Sequence, residues 1–272
     1  MVKNLLIKYI SIIIITISPV ACNSEHSSQP IPTLKSVTNL SSYSSIDSFK
    51  INSHYHLKRQ NNGPSISSGS VSNGSLENGK IAPFFGSNFT YFDTNSYFCN
   101  RGFAHESVIE IIVNAYQKLS TILPDRHFYV MELSNEHGGK IFPHKTHQNG
   151  MSVDFMMPKL KHNEPFYGLD TLGKDHYWLD FDDSGFYTED QNVKIDFNLV
   201  AQHILILAQE AKKLGYKIAK VIIKIEYKNH LFKTVYGKQL KNSNIYIVKS
   251  LSPVINKLHD DHFHIDFQKI EP

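Results

Sequence analysis

The chain has 272 residues, an apolar share of 41% and a net charge of +3 from 28 basic and 25 acidic residues. That length holds one large domain or two small ones, and the apolar share suits an ordinary soluble core. So small a charge excess, with no basic stripe interleaved with aromatics, argues against a nucleic-acid partner.

At the N-terminus, Lys3 and Lys8 precede the apolar run 10–17 and then Ser18-Pro19-Val20-Ala21-Cys22. The run is shorter than the roughly 20 apolar residues of a membrane-spanning helix, so residues 1–21 read as an export signal. Cysteine directly after Val-Ala resembles a bacterial lipoprotein signal. That resemblance implies lipidation of Cys22, the membrane as a partner through this lipid anchor, and a periplasmic or cell-envelope location. A conventionally cleaved peptide and an uncleaved anchor starting near Leu5 are the alternatives. A lipidated Cys22 could not pair with Cys99, the only other cysteine, so no disulfide is expected.

Residues 22–80 are rich in Ser, Asn, Gly and Gln, offer little to bury, and read as a flexible tether. A short apolar stretch at 43–55 softens that boundary. The remainder, residues 81–272, reads as the functional domain. Ser107-Val-Ile-Glu110 has the form of a capping box, and Val108, Ile111, Ile112, Ala115, Leu119 and Ile122 recur at helical spacing up to Pro124. A second helix is predicted over 197–214, capped by Asp196, with Lys212 and Lys213 in its last turn and Gly215 to stop it. Runs of β-branched and aromatic residues predict strands at 128–133, 153–157, 218–225, 245–248 and 263–267. Helices and strands do not alternate, which points to a single α+β domain with a largely antiparallel central sheet flanked by helices.

Histidine is the unusual residue. There are 15, with one group at 137, 144 and 147 and another at 259, 262 and 264; such clusters call for a metal or for proton transfer. In Pro143-His-Lys-Thr-His-Gln-Asn-Gly-Met-Ser-Val-Asp154, the Asn149-Gly150 turn can fold His147 back towards Asp154. In His259-Asp-Asp-His262-Phe-His264-Ile-Asp266, alternation puts His262, His264 and Asp266 on one face of a strand. Catalytic zinc takes three protein ligands from His, Asp and Glu and keeps a fourth position for water. His147, Asp154 and His264 supply such a set.

Together the two segments resemble the zinc peptidases that share a metal site with lysostaphin, D-alanyl-D-alanine peptidases and Hedgehog domains. Within that group they look most like the penicillin-insensitive murein endopeptidases. The likeness rests on His144, His147, Gln148, Gly150, Val153 and Asp154, on His259, His262 and His264, and on the glycines Gly138 and Gly139. It implies Zn2+ on His147, Asp154 and His264, with His262 beside the metal as the catalytic histidine. His144 and His259 resemble further family histidines that hold a ligand, contact substrate or bind metal. The implied activity is β-lactam-insensitive hydrolysis of peptidoglycan cross-link peptides, at D-alanyl to diaminopimelate bonds, by metal-activated water. The implied partners are peptidoglycan peptide stems. A D-alanyl carboxypeptidase and a non-catalytic zinc-containing binding module are the alternatives; His262 beside His264 favours an enzyme, because a structural site would not require it.

Other residues are less distinctive. Asp180, Asp182 and Asp183 read as a solvated loop or as a grip for an ammonium group, and Asp260 and Asp261 as surface residues or partners of a histidine. His105, His137, Tyr177 and Trp178 either shape the cleft or play no part in it, and the sequence alone does not choose between the two. No GxSxG, SxxK or HExxH motif occurs, so neither a covalent serine nor a helical glutamate base is expected.

Overall fold

A computed structural model describes residues 43–60 and 63–271. The export signal and the lipidation of Cys22 fall outside the described residues. The chain runs through α1 (Ser45–Lys58), β1 (Ile66–Ser70), β2 (Asn73–Glu77), β3 (Lys80–Ile81), β4 (Phe89–Tyr91), α2 (Thr94–Phe98), β5 (Phe103–Ala104), α3 (Glu106–Ile122) and β6 (Phe128–Val130). It continues through β7 (Ser152–Met156), β8 (Lys159–Lys161), β9 (Glu164–Phe166), a 3-10 helix (Gly173–Trp178), β10 (Phe186–Tyr187) and β11 (Asp190–Ile195). The last part holds α4 (Phe197–Lys213), β12 (Tyr216–Ile222), α5 (Tyr227–Lys233), α6 (Val235–Lys241), α7 (Pro253–Lys257) and β13 (His262–Lys269).

The central sheet has the order β12-β13-β7-β6-β4 and is antiparallel except for the parallel pair β4 and β6. The α+β expectation therefore holds. On one face, Phe155 of β7 stacks on Phe263 of β13, with ring centroids 5.4 Å apart. Tyr116 of α3 and His203 of α4 close over these rings at 6.5 and 5.1 Å from Phe155. The apolar stripe of α3 is buried as its spacing predicts, from Val108 to Leu119; Ile122, the helix's last residue, is 46% exposed. Helix α4 matches the expectation at both ends: the Asp196 carboxylate accepts from Leu199 N at 3.0 Å, and Gly215 has φ +76°.

Four expectations need correction. The stretch read as tether contains folded structure: Ser44 caps α1, and β1 and β2 form a hairpin whose Leu76 is buried. Leu76 N donates to His137 O, which ties the hairpin to the domain despite its polar composition. The cap of α3 is His105, whose Nδ1 accepts from Ser107 N, so the helix starts before the Ser-x-x-Glu pattern that mimics a capping box. Residues 245–248 make only an isolated bridge to β12, through Val221 and Ile247. Cys99, the C-cap of α2, carries no free thiol; its partner falls outside the described residues. Among the described residues no helix is long and apolar enough to cross a membrane.

Candidate metal centre

Strands β7 and β13 carry most of the site. Their register sets His264 opposite Asp154 and His262 opposite Met156. Side chains alternate along β13, so His262, His264 and Asp266 share the face away from Phe263. The pairing brings His264 Nδ1 to 2.7 Å from Asp154 Oδ1.

His147 arrives from the loop before β7. It has φ +66°, a left-handed conformation that costs a non-glycine residue on the order of 1–3 kcal/mol and marks functional positions. Packing holds it there. Gly139 N donates to Gln148 O at 2.8 Å, and a Cβ on Gly138 would lie 2.3 Å from that same oxygen. Only glycine lets this backbone press against the histidine loop, which gives the Gly138-Gly139 pair its structural reason. The result is a fully buried imidazole with Nε2 3.2 Å from Asp154 Oδ1.

A third imidazole completes the cluster: His144 Nδ1 lies 3.4 Å from Asp154 Oδ2. Ring centroids of His144 and His147 are 4.8 Å apart, and those of His147 and His264 are 4.7 Å apart. Ligating atoms of His144, His147 and Asp154 all lie within 4.8 Å of one another. Both nitrogens of His147 and Asp154 Oδ2 are buried without a hydrogen-bond partner, since the close His147 contact is not aligned for one. Each orphaned group of this kind costs about 1–3 kcal/mol unless something satisfies it. Imidazole nitrogens around one carboxylate fit a zinc-like divalent cation.

Every histidine of the cluster but one has a further partner on its other nitrogen. His264 Nε2 lies 2.6 Å from Asp266 Oδ1, an oxygen that also accepts from Ser152 Oγ at 2.6 Å. His144 Nε2 lies 2.5 Å from Glu132 Oε2, and Glu132 also takes Arg101 Nη2 at 2.6 Å and Ser96 Oγ at 3.0 Å. His262 Nδ1 lies 2.5 Å from Asp261 Oδ1, which leaves Nε2 as its working nitrogen. Such outer carboxylates fix the ring orientation and tautomer of metal-site histidines. Burial and charge compete at these groups. Burial lowers the His264 pKa, but Asp266 and Asp154 outweigh it and raise the value to about 9. Burial likewise opposes the neighbouring Asp261 at His262, where the balance is upward. His147 ends below the usual histidine value because burial prevails over Asp154.

His259 stands beside the cluster. Its Nδ1 lies 2.7 Å from Ile255 O, its ring is 4.8 Å from that of His262 and 6.5 Å from that of His264, and burial lowers its pKa to about 3. His144, His147, Asp154, His259, His262 and His264 thus meet in one place. The acidic loop does not. Asp180 pairs with Lys257, Asp183 pairs with Lys224, and Asp182 Oδ1 accepts from Ser184 N and Phe186 N. Asp260 also takes Lys257, and His105 caps α3. Glu132 was missed by sequence reasoning, although a charge inside the apolar run Phe128-Tyr-Val-Met-Glu-Leu133 is the signal that marks it. Arg101 and His176 carry no local signal; they reach the site only through the fold, His176 with Nε2 3.7 Å from Asp261 Oδ2.

Buried imidazoles around a carboxylate, all but His147 steered by a further acidic group and carried on two adjacent strands and the loop before them, define a candidate hydrolytic metal centre. A sequence model of the penicillin-insensitive murein endopeptidases matches residues 67–269, and the chain belongs to that family. It is accordingly a peptidase with peptidoglycan as its substrate and the cell envelope as its setting. No curated protein matches the chain.

Proposed function

We propose that the chain is a zinc-dependent endopeptidase that hydrolyses peptidoglycan cross-link peptides at D-alanyl to diaminopimelate bonds. The supporting observation is the convergence of His147 Nε2 and His264 Nδ1 on one oxygen of Asp154, with His147 otherwise unpartnered. In this reading His147, Asp154 and His264 hold zinc, and Asp266 steers His264. Bound zinc supplies a water whose pKa falls towards about 7 and a Lewis acid for the carbonyl. His262, held through Nδ1 by Asp261, presents Nε2 to take the proton of the attacking water and return it to the departing amine. His144, steered by Glu132, is a further ligand or holds Asp154 in place, and His259 lines the approach to His262. The same reading has the chain exported to the cell envelope by residues 1–21. No serine is acylated, so β-lactams do not inhibit.

Digestion of purified sacculi with and without chelator, reading released muropeptides by mass, tests the proposal. Cross-linked dimers are expected to give monomers with intact D-alanine termini, and chelator or His264→Ala is expected to abolish this. Loss of terminal D-alanine alone would identify a carboxypeptidase. Equal products from His264→Ala and the parent protein would sink the metallopeptidase reading.

A further inference from the structure

Tyr177 sits in the last turn of the 3-10 helix Gly173–Trp178. Its ring lies edge-on to two imidazoles of the site, with centroids 5.3 Å from His262 and 6.3 Å from His144, and packs against Phe92 at 5.7 Å. The hydroxyl is buried and has no hydrogen-bond partner. Buried tyrosine hydroxyls ordinarily find one, since an orphaned hydroxyl counts against the fold. Nothing local requires it: His176 anchors the helix through Nδ1 to Leu169 O at 3.0 Å, and the Tyr177 ring is placed by packing. A phenylalanine would pack equally well. The hydroxyl is therefore a donor kept without an acceptor beside the histidine that must meet the substrate.

We propose that the Tyr177 hydroxyl donates to the carbonyl oxygen of the scissile peptide bond and to the oxyanion which that oxygen becomes. This rests on the peptidase reading above. When water adds to the carbonyl carbon, its proton passes to His262 and the carbonyl π electrons move to oxygen. Tyr177 keeps its own proton throughout and strengthens one hydrogen bond as charge develops. Donors aimed at a developing charge act on kcat more than on KM.

Tyr177→Phe tests this on the full zinc-loaded chain with a purified cross-linked muropeptide dimer. The expected kcat is about 100-fold lower, with KM changed less than about threefold. Zinc content is expected to be unchanged and the melting temperature equal or higher, because the hydroxyl has no partner to lose. A phosphinic-acid analogue of the D-alanyl peptide, whose tetrahedral oxygens mimic the oxyanion, is expected to bind about 100-fold more weakly to the variant. A kcat within about threefold of the parent, or a raised KM at unchanged kcat, overturns the assignment. If the parent releases nothing from the dimer, the peptidase reading falls and this one with it. If the parent is active and Tyr177→Phe is equally fast, only the tyrosine assignment falls.

Discussion

His203 lies on α4 beneath the site strands, inside a box formed by Tyr116, Phe128, Phe155 and Phe263, with ring centroids at 5.1, 5.2, 5.1 and 5.5 Å. It is fully buried, and neither ring nitrogen has a hydrogen-bond partner. Replacing it with leucine removes one orphaned donor and one orphaned acceptor, each worth about 1–3 kcal/mol. The change of shape inside a ring-lined box returns up to about 1.5 kcal/mol of that. His203→Leu is therefore expected to stabilise the protein at pH 7 by at least about 0.5 kcal/mol and at most about 6 kcal/mol. For a domain of this size the melting temperature rises by about 2–4 °C per kcal/mol.

The pH dependence supplies a sharper test. Burial alone lowers the His203 pKa from 6.5 to about 3. Between those values the unfolded chain binds a proton that the folded chain refuses, so stability is full above about 6.5 and falls as pH drops towards 3. Each pH unit in that window costs about 1.4 kcal/mol. From pH 7 to pH 5 the gap between variant and parent is expected to widen by about 2 kcal/mol. Urea unfolding at both values, with saturating zinc in every sample, measures it, and the other buried histidines cancel between the two proteins. A variant destabilised by more than about 1 kcal/mol at pH 7, or a gap that does not change with pH, would refute the reasoning.

Other substitutions probe the site's supports. Glu132→Gln removes the charge that steers His144 and pairs with Arg101; zinc affinity or activity is expected to fall about 10- to 100-fold, read by zinc titration and muropeptide turnover. Asp261→Asn loosens the tautomer of His262 without touching a proposed ligand, so kcat is expected to drop by at least about tenfold while zinc content, measured by elemental analysis, stays at the parental level. Asp196→Ala removes both the cap of α4 and the partner of Arg126 at 3.2 Å. It is expected to cost about 1–2 kcal/mol in urea unfolding, with kcat unchanged.

The parts of this molecule that follow from local rules were visible in its sequence. Asp196 and Gly215 bound α4 because caps act within a few residues of the helix they end. The alternation of His262, His264 and Asp266 placed three polar groups on one face because strand geometry leaves no alternative. The histidine spacing carried the family resemblance. What stayed hidden depends on contacts distant in sequence. Arg101 meets Glu132 and Phe142 O only after β5, β6 and the histidine loop have packed together. The polar hairpin β1–β2 looked like tether because one buried residue, Leu76, does the anchoring that composition assigns to many. Likewise, no pattern distinguishes a tyrosine with an orphaned hydroxyl from any other.

The two faces of β7 and β13 explain why the site and the aromatic box belong together. Asp154, His262 and His264 alternate with Phe155 and Phe263, so each polar group that works at the site is flanked by a ring packed on α3 and α4. A slip of one residue between these strands would turn phenylalanines to the site and carboxylates into the core. The rings therefore fix the register that brings His264 Nδ1 to Asp154 Oδ1. A substitution such as Phe263→Ala, which removes a ring packed on Phe155 and His203 on the face opposite the site, acts on the site through this coupling. It is expected to cost about 3–5 kcal/mol of stability and to loosen zinc binding as well. Zinc titration of the folded fraction at low temperature separates the two effects: parental affinity there would show that the box holds up the fold without setting the geometry of the site.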